Sequence, residues 1–336
     1  PSGINKNGFV YKNSKNEALV FNADYTVTMG ALKTALFSDA AKDFCGKIIC
    51  AELGISEKVF NSLEKPSAFL LESSDINFPF RKAKSSHKGT FGHAYVIPGE
   101  KPGAGLIAAT SALEFGCGLS TVCDKFSDFS KIKIPMDIMY SSEIPNNVSA
   151  ILLGSGFGRN QQNMDMAWDF IKQFSCNDKC SFVFDADIFY YQKLPLLLQE
   201  LKNQQVILTP HPKELFYLLK LYDIKVDSVE EVIQNRFEFC KLFSEKNPNC
   251  VLVSKGAITY ICHQNQIFIC DVGSVALAKA GSGDVLAGMC LSLLAQGYDC
   301  VKAAQTAVYA HGIAASKCET NYGLTPSKLI SLIKNK

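Results

Sequence analysis

The chain has 336 residues, more than one average domain needs and fewer than three would take. It is 47% hydrophobic and 20% charged, so it can bury a sizeable core and is not a disordered chain. Thirty-four Lys plus Arg against 32 Asp plus Glu leave a net charge of +2, so no nucleic-acid partner is expected. The longest apolar stretch, residues 285–295, is interrupted by Gly288 and Ser292, ends at Gln296 and is too short to span a bilayer, so no membrane partner is expected either.

Residue 1 is Pro and no basic-then-apolar signal follows it, which reads as a piece whose native start lies elsewhere. Residues 5–17 are polar and turn-rich, and residues 25–29 and 47–50 read as two short strands with no helix of their own. Two such strands cannot make a core, so this piece is expected to pack on something else. From Gly92 the pattern becomes strand–helix–strand. Apolar strands are predicted at 94–97, 119–123, 150–153, 182–184, 206–208 and 250–253. Helices are predicted at 105–115, 161–175, 195–202, 213–221 and 228–246. A hairpin follows over 257–262 and 267–271, then helices at 284–295, 300–316 and 326–333. Near-continuous apolar strands alternating with helices predict an α/β fold, with a mainly parallel sheet covered on both faces.

The thirteen cysteines are scattered, and Cys176 and Cys180 have no matching second pair, so zinc is not expected. Reduced thiols in a cytoplasmic protein are the expectation.

Polar and glycine-rich residues follow the strand ends, where ligands sit in such sheets. Gly281-Ser282-Gly283-Asp284 leads straight into a helix. Its N–H groups and the helix dipole suit a phosphate, although Asp284 is also an ordinary helix cap. Lys255-Gly256-Ala257-Ile258-Thr259 is a strand end with a cation and a hydroxyl, which meets a nucleotide or is merely a turn. His211 is held between Pro210 and Pro212, followed by Glu214. Asp185 and Asp187 flank one alanine, so in extended chain both would point the same way, toward Mg²⁺ or a ribose, or would cap the next segment. Lys101-Pro-Gly-Ala104-Gly105 suits an anion loop but is neither a Walker loop nor a dinucleotide fingerprint.

Taken in order, these segments resemble the ribokinase-like NAD(P)H-hydrate dehydratases over about residues 85–333. The resemblance rests on HKGTFGH at 87–93, PGAG at 102–105 and GLSTV at 118–122. It continues in GSGFG at 154–158, DAD at 185–187, LTPHPKE at 208–214, KGAIT at 255–259, AGSGDVLAG at 280–288 and YAHG at 309–312. Residues 1–56 are similar to the end of the NAD(P)H-hydrate epimerase domain that precedes the dehydratase in two-domain members. The expected division is thus an epimerase-like remnant over 1–56 and a dehydratase domain over 57–336. Departures from the family pattern stand at Gly154-Ser155-Gly156, Tyr190, Lys213 and Ala280.

The resemblance implies dehydration of (6S)-NADHX or (6S)-NADPHX, with ADP or ATP as co-substrate and Mg²⁺ on the phosphates. It assigns Asp284 as the base. Ala104, Gly156, His211 and Asp284 would contact the hydrated dinucleotide, and Lys255 to Thr259 with Gly281, Ser282 and Gly283 would contact the nucleotide. Ser2 matches the potassium-binding serine of the epimerase part, whose activity is not expected from this piece. A homo-oligomer is also implied. A small-molecule kinase of the same fold and a catalytically inactive nucleotide-binding module are the alternatives.

Overall fold

A computed structural model describes residues 2–63, 65–174 and 180–334. The amino-terminal part holds β1 (Tyr25–Met29), α1 (Asp39–Cys45), β2 (Lys47–Ala51) and α2 (Glu57–Leu63). β1 and β2 pair in parallel, Tyr25 opposite Lys47. Parallel strands need a crossover, and α1 supplies it. The expectation of two strands without a helix is corrected here. α1 has seven residues, too few to show a hydrophobic period, and its start is fixed locally by the Ser38 hydroxyl accepting from Ala41 N.

The remaining strands are β3 (Phe69–Leu70), β4 (His93–Ile97), β5 (Leu119–Cys123), β6 (Met139–Ser141), β7 (Ala150–Leu153), β8 (Ser181–Phe184), β9 (Val206–Leu208), β10 (Cys250–Ser254), β11 (Thr259–His263) and β12 (Gln266–Cys270). They form one sheet in the order β3-β12-β11-β10-β9-β8-β7-β4-β5-β6. Pairing is parallel except at β10–β11 and β11–β12, the expected hairpin. The helices are α3 (Pro102–Glu114), α4 (Gln161–Ile171), α5 (Leu194–Glu200), α6 (Pro212–Leu221), α7 (Val229–Gln234), α8 (Arg236–Lys246), α9 (Ser282–Ala295), α10 (Cys300–Ser316) and α11 (Pro326–Lys334). The single helix expected over 228–246 is two, broken at Asn235. The carboxyl end expected for α4, residue 175, and Cys176 lie outside the described residues.

β4, β7, β8 and β10 are buried along their whole length, as a sheet covered on both faces requires. One face carries the apolar side chains of α4, α5, α6 and α8, the other those of α3, α9, α10 and α11. The chain runs outward from β4 to β5 and β6, then returns to β7 on the other side of β4. The connections after β4 and β7 lead to α3 and α4 on opposite faces of the sheet, the switch point at which a crevice opens beyond the carboxyl ends. No described helix is long and apolar enough to cross a membrane.

Candidate active site

Both loops at that crevice are the glycine-rich ones. Lys101 N donates to Gly156 O at 2.8 Å, and a Cβ on Gly156 would lie 2.9 Å from that of Ala104. Gly156 has φ +64°, a conformation glycine adopts without penalty. The structure thus brings Ala104 and Gly156 side by side. A cavity of about 650 Å³ opens next to them, lined by Gly99, Pro102, Lys125, Phe126, Asp128 and Phe157 among others. A larger one, about 1140 Å³, lies between residues 30–36 and 52–56 and includes none of the candidate residues.

α9 begins at the anion loop. Gly281 takes φ +88° as its N-cap. The Ser282 N–H turns back to Lys279 O and its hydroxyl donates to Leu277 O at 2.7 Å, so this serine braces the loop. The first-turn N–H groups of Gly283 and Asp284 are left facing outward, as at any helix start. Lys255 Nζ stands 3.4 Å from where a Cβ on Gly283 would lie, placing its charge over the helix start. Behind the loop, His311 Nε2 donates to Ser282 O at 3.0 Å. Burial pushes the His311 imidazole down to about 4, so it is a neutral donor at pH 7.

A single polar network links the strand ends. Asp185, buried at the end of β8, accepts from Thr209 Oγ1 at 2.7 Å and Lys255 Nζ at 2.9 Å. The Ser155 hydroxyl donates to Asp185 Oδ2 at 3.3 Å and also lies near enough to Asp284 to favour its charged form. Glu214 Oε2 lies 3.9 Å from Lys255 Nζ. Burial alone would lower the Lys255 ammonium, but the Asp185 and Glu214 charges hold it above its ordinary value. Asp284 is pushed up to about 7, first by burial and then by the Asp185 charge, against the pull of Lys255 and Ser155. A carboxyl that titrates near neutrality beside a cation and outward N–H groups is suited to take a proton from a hydroxyl.

His211 is near this network, with its nitrogens already engaged. It is the N-cap of α6: Nδ1 accepts from Lys213 N and Glu214 N, and Nε2 lies 2.9 Å from Glu214 Oε1. The ring is 45% exposed, so its face remains available. The paired Asp185 and Asp187 are corrected. Ala186 takes φ +53° and opens a helical turn, so the chain is not extended there. Asp185 enters the network, whereas Asp187 accepts from Gly158 N at 3.0 Å and pairs with Arg159. Tyr190 packs against Tyr217 at a tilt of 51°, ring centres 4.5 Å apart, under the Arg159 guanidinium. Ser2 lies far along the chain in the amino-terminal part, where its carbonyl accepts from Phe21 N.

Arg236 went unread in the sequence. It is 2% exposed, and its guanidinium lies against Gly256, where an added Cβ would meet it at 2.5 Å. Its spacing to Phe239, Cys240 and Phe243, all buried, would have placed it on the inward face of a helix. No group of three or more His, Cys, Asp or Glu able to hold a metal occurs among the described residues.

The sequence profile described as NAD(P)H-hydrate dehydratase matches residues 94–336. A bifunctional NAD(P)H-hydrate repair enzyme of Helicobacter pylori is 44% identical over 335 residues, 99% of this chain and 67% of that protein. An ADP-dependent (S)-NAD(P)H-hydrate dehydratase of Neisseria meningitidis is 28% identical over 266 residues, 74% of this chain and 84% of that protein. The crystal structure of the ADP/ATP-dependent NAD(P)H-hydrate dehydratase from Bacillus subtilis, co-crystallised with ATP and Mg²⁺, shares the fold. Its TM-score is 0.66 at 24% identity, over 81% of this chain and 98% of that one. The chain spans about two thirds of the bifunctional relatives it matches, 67%, 64% and 66% of three of them. On the profile and the 44% identical relative, the chain belongs to the NAD(P)H-hydrate dehydratase family.

Proposed function

We propose that the chain dehydrates (6S)-NADHX or (6S)-NADPHX to NAD(P)H at the expense of an adenine nucleotide, ADP yielding AMP and phosphate. The observation that carries this reading is Asp284, a carboxyl near neutrality at the start of α9 with Lys255 above it. The substrate hydroxyl at C6 attacks the terminal phosphoryl group, and AMP departs as the new O–P bond forms. Asp284 takes the hydroxyl proton, while Lys255 and the first-turn N–H groups of α9 hold the developing charge. The ring nitrogen lone pair then expels phosphate from C6, a proton leaves C5, and the dihydronicotinamide is restored.

Ala104 and Gly156 place the ring beside Asp284, with the 650 Å³ cavity taking the rest of the dinucleotide. His211 offers its ring face, because both nitrogens serve α6 and Glu214. Gly281 and Gly283, in the loop that Ser282 braces, and Lys255 to Thr259 hold the nucleotide. ADP is the expected co-substrate, as in the name of the neisserial relative, with ATP the alternative. Mg²⁺ fits as a passenger of the phosphates: Asp185 already accepts from Thr209, Lys255 and Ser155, so it suits a water-mediated contact. Such an ion would supply charge neutralisation between the transferring phosphoryl oxygens.

Residues 1–56 are read as part of an epimerase-like domain, with Ser2 toward K⁺ on the resemblance alone. The twelve described cysteines are unpaired, which fits a reducing cytoplasm. The test is an assay of NADHX with ADP and then ATP. Recovered NADH absorbance with stoichiometric phosphate supports the dehydratase. A stable phosphorylated product would show a kinase instead.

A further inference from the structure

The turn between β10 and β11, residues 255–258, has its backbone fixed from the amino-terminal part of the chain. Asp39 Oδ1, at the start of α1, accepts from Ile258 N at 2.8 Å and from Arg236 Nη2 at 2.7 Å. Arg236 in turn donates to Ile258 O and, at 3.0 Å, to Ser254 O. Gly256 lies on the guanidinium, too close for a side chain to intervene. Lys42, one turn along α1, donates to Ala257 O at 2.8 Å and to Asp271 O at 2.7 Å. Tyr260 donates to Phe37 O at 2.8 Å, and its ring lies 4.5 Å from the Arg236 guanidinium carbon.

Both polar backbone atoms of Ile258 and the carbonyl of Ala257 thus end on Asp39, Arg236 or Lys42. The turn is otherwise exposed at Gly256 and Ala257. A turn that must meet a phosphate or an adenosine with its backbone works best when its geometry is held before the ligand arrives. The Arg236–Asp39 pair is well suited to hold it, with side chains 2% and 17% exposed.

We infer that Asp39 is a positioning residue for nucleotide binding, holding the 255–258 turn through Arg236 and Ile258 N, with Lys42 as its second anchor. Asp39 lies outside residues 94–336, the segment the family profile matches. The amino-terminal part therefore completes the dehydratase rather than merely preceding it. This rests on the reading of residues 255–259 as a nucleotide site.

The test measures kcat, the KM for ADP, the KM for NADHX and the Tm of the 336-residue chain and four variants. Asp39→Ala removes the one oxygen that accepts both hydrogen bonds and is expected to raise the ADP KM about 3- to 30-fold. The NADHX KM and the kcat at saturating ADP stay within about 2-fold, because nothing that touches the reacting atoms has changed. Asp39→Asn keeps an Oδ1 acceptor and restores most of the ADP KM. A purely structural staple would lower Tm in Asp39→Ala and leave the ADP KM unmoved, which overturns the inference. Should Asp39→Ala not fold, Lys42→Met, which releases Ala257 O and Asp271 O, raises the ADP KM in the same direction. An unmoved ADP KM there overturns it as well. Ala257→Glu separates the two levels: it sets a carboxylate on the exposed turn and repels a phosphate. If its ADP KM is unchanged, the turn is not the nucleotide site, and reading and inference fall together. If it rises while the Asp39 variants do not respond, only the inference falls.

Discussion

Asp284 is the third residue of α9, whose N-cap is Gly281, so it does not cap the helix, and Asp284→Asn tests its catalytic role. Asn keeps the size and polarity of the side chain, whereas a positioned base is worth about 10²- to 10⁴-fold in rate. We expect kcat to fall at least about 100-fold, with ADP affinity nearly kept; turnover within a few-fold of the parent would remove Asp284 from the mechanism. The carboxyl titrates at about 7 in the folded chain, so kcat/KM of the parent should lose its base below that pH, about tenfold per unit. A profile flat down to pH 5 would contradict this. The same shift sets a stability trend. The folded value lies above the ordinary 3.8, so its contribution is fully present below about 4 and is lost as pH rises through about 7. The Tm of Asp284→Asn should therefore gain on the parent between pH 5 and pH 8, and a variant-minus-parent difference that stays level or falls over that range would mean the charge is not strained. Asp284, Lys255 and the glycines were legible because an anion hole needs small residues and a helix start, which leave a linear signature. Ser155, Arg236 and Asp39 were not. Asp39 and Ile258 are 219 residues apart, and nothing local marks their hydrogen bond.

At the scale of elements, α3 and α9 carry Ala104 and Asp284 into the same crevice, and their separation sets the distance between those residues. Gly288 fixes that separation: a Cβ there would lie 2.2 Å from Ala108 O. Backbone does not yield as a flexible side chain does, so Gly288→Ala forces the helices apart. Overpacking of this kind costs about 1–3 kcal/mol, or roughly 2–8 °C in Tm. Unlike Asp284→Asn, it should lower Tm and kcat together; an unchanged Tm would mean the helices accommodate the methyl freely. Most of the sheet was readable because β4, β7, β8 and β10 are buried on both sides and appear as unbroken apolar runs. The edge strands β3 and β6 were missed, with two and three residues and partly exposed side chains. Ala186 shows why local geometry also escaped: an alanine at φ +53° is held there by its surroundings, and no residue type announces it.

At the scale of the whole molecule, the amino-terminal part and the main sheet depend on each other. In β1, Tyr25, Val27 and Met29 face solvent while Thr26 and Thr28 are buried, so β1 gives no apolar side chain to a core, and only Ile48 of β2 packs on the main one. Its anchorage is the segment around α1: Phe37 is buried in the core on the α4–α8 face, and Asp39 neutralises Arg236. The dependence runs the other way through the same pair. A chain of residues 57–336 would leave the guanidinium with backbone carbonyls, Ser254 and the Tyr260 ring but no countercharge, and Arg236 Nε already has no partner. Removing one member of a buried ion pair typically costs about 3–5 kcal/mol because the other charge stays desolvated. Arg236→Met keeps much of the volume and removes the charge. The truncation should therefore lower Tm by roughly 6–12 °C with Arg236 present and by clearly less with Arg236→Met. The difference between the two losses isolates the pair, as in a double-mutant cycle. Equal losses in both backgrounds would mean that Phe37 and its neighbours, not the Arg236–Asp39 charge pair, join the two parts of the chain.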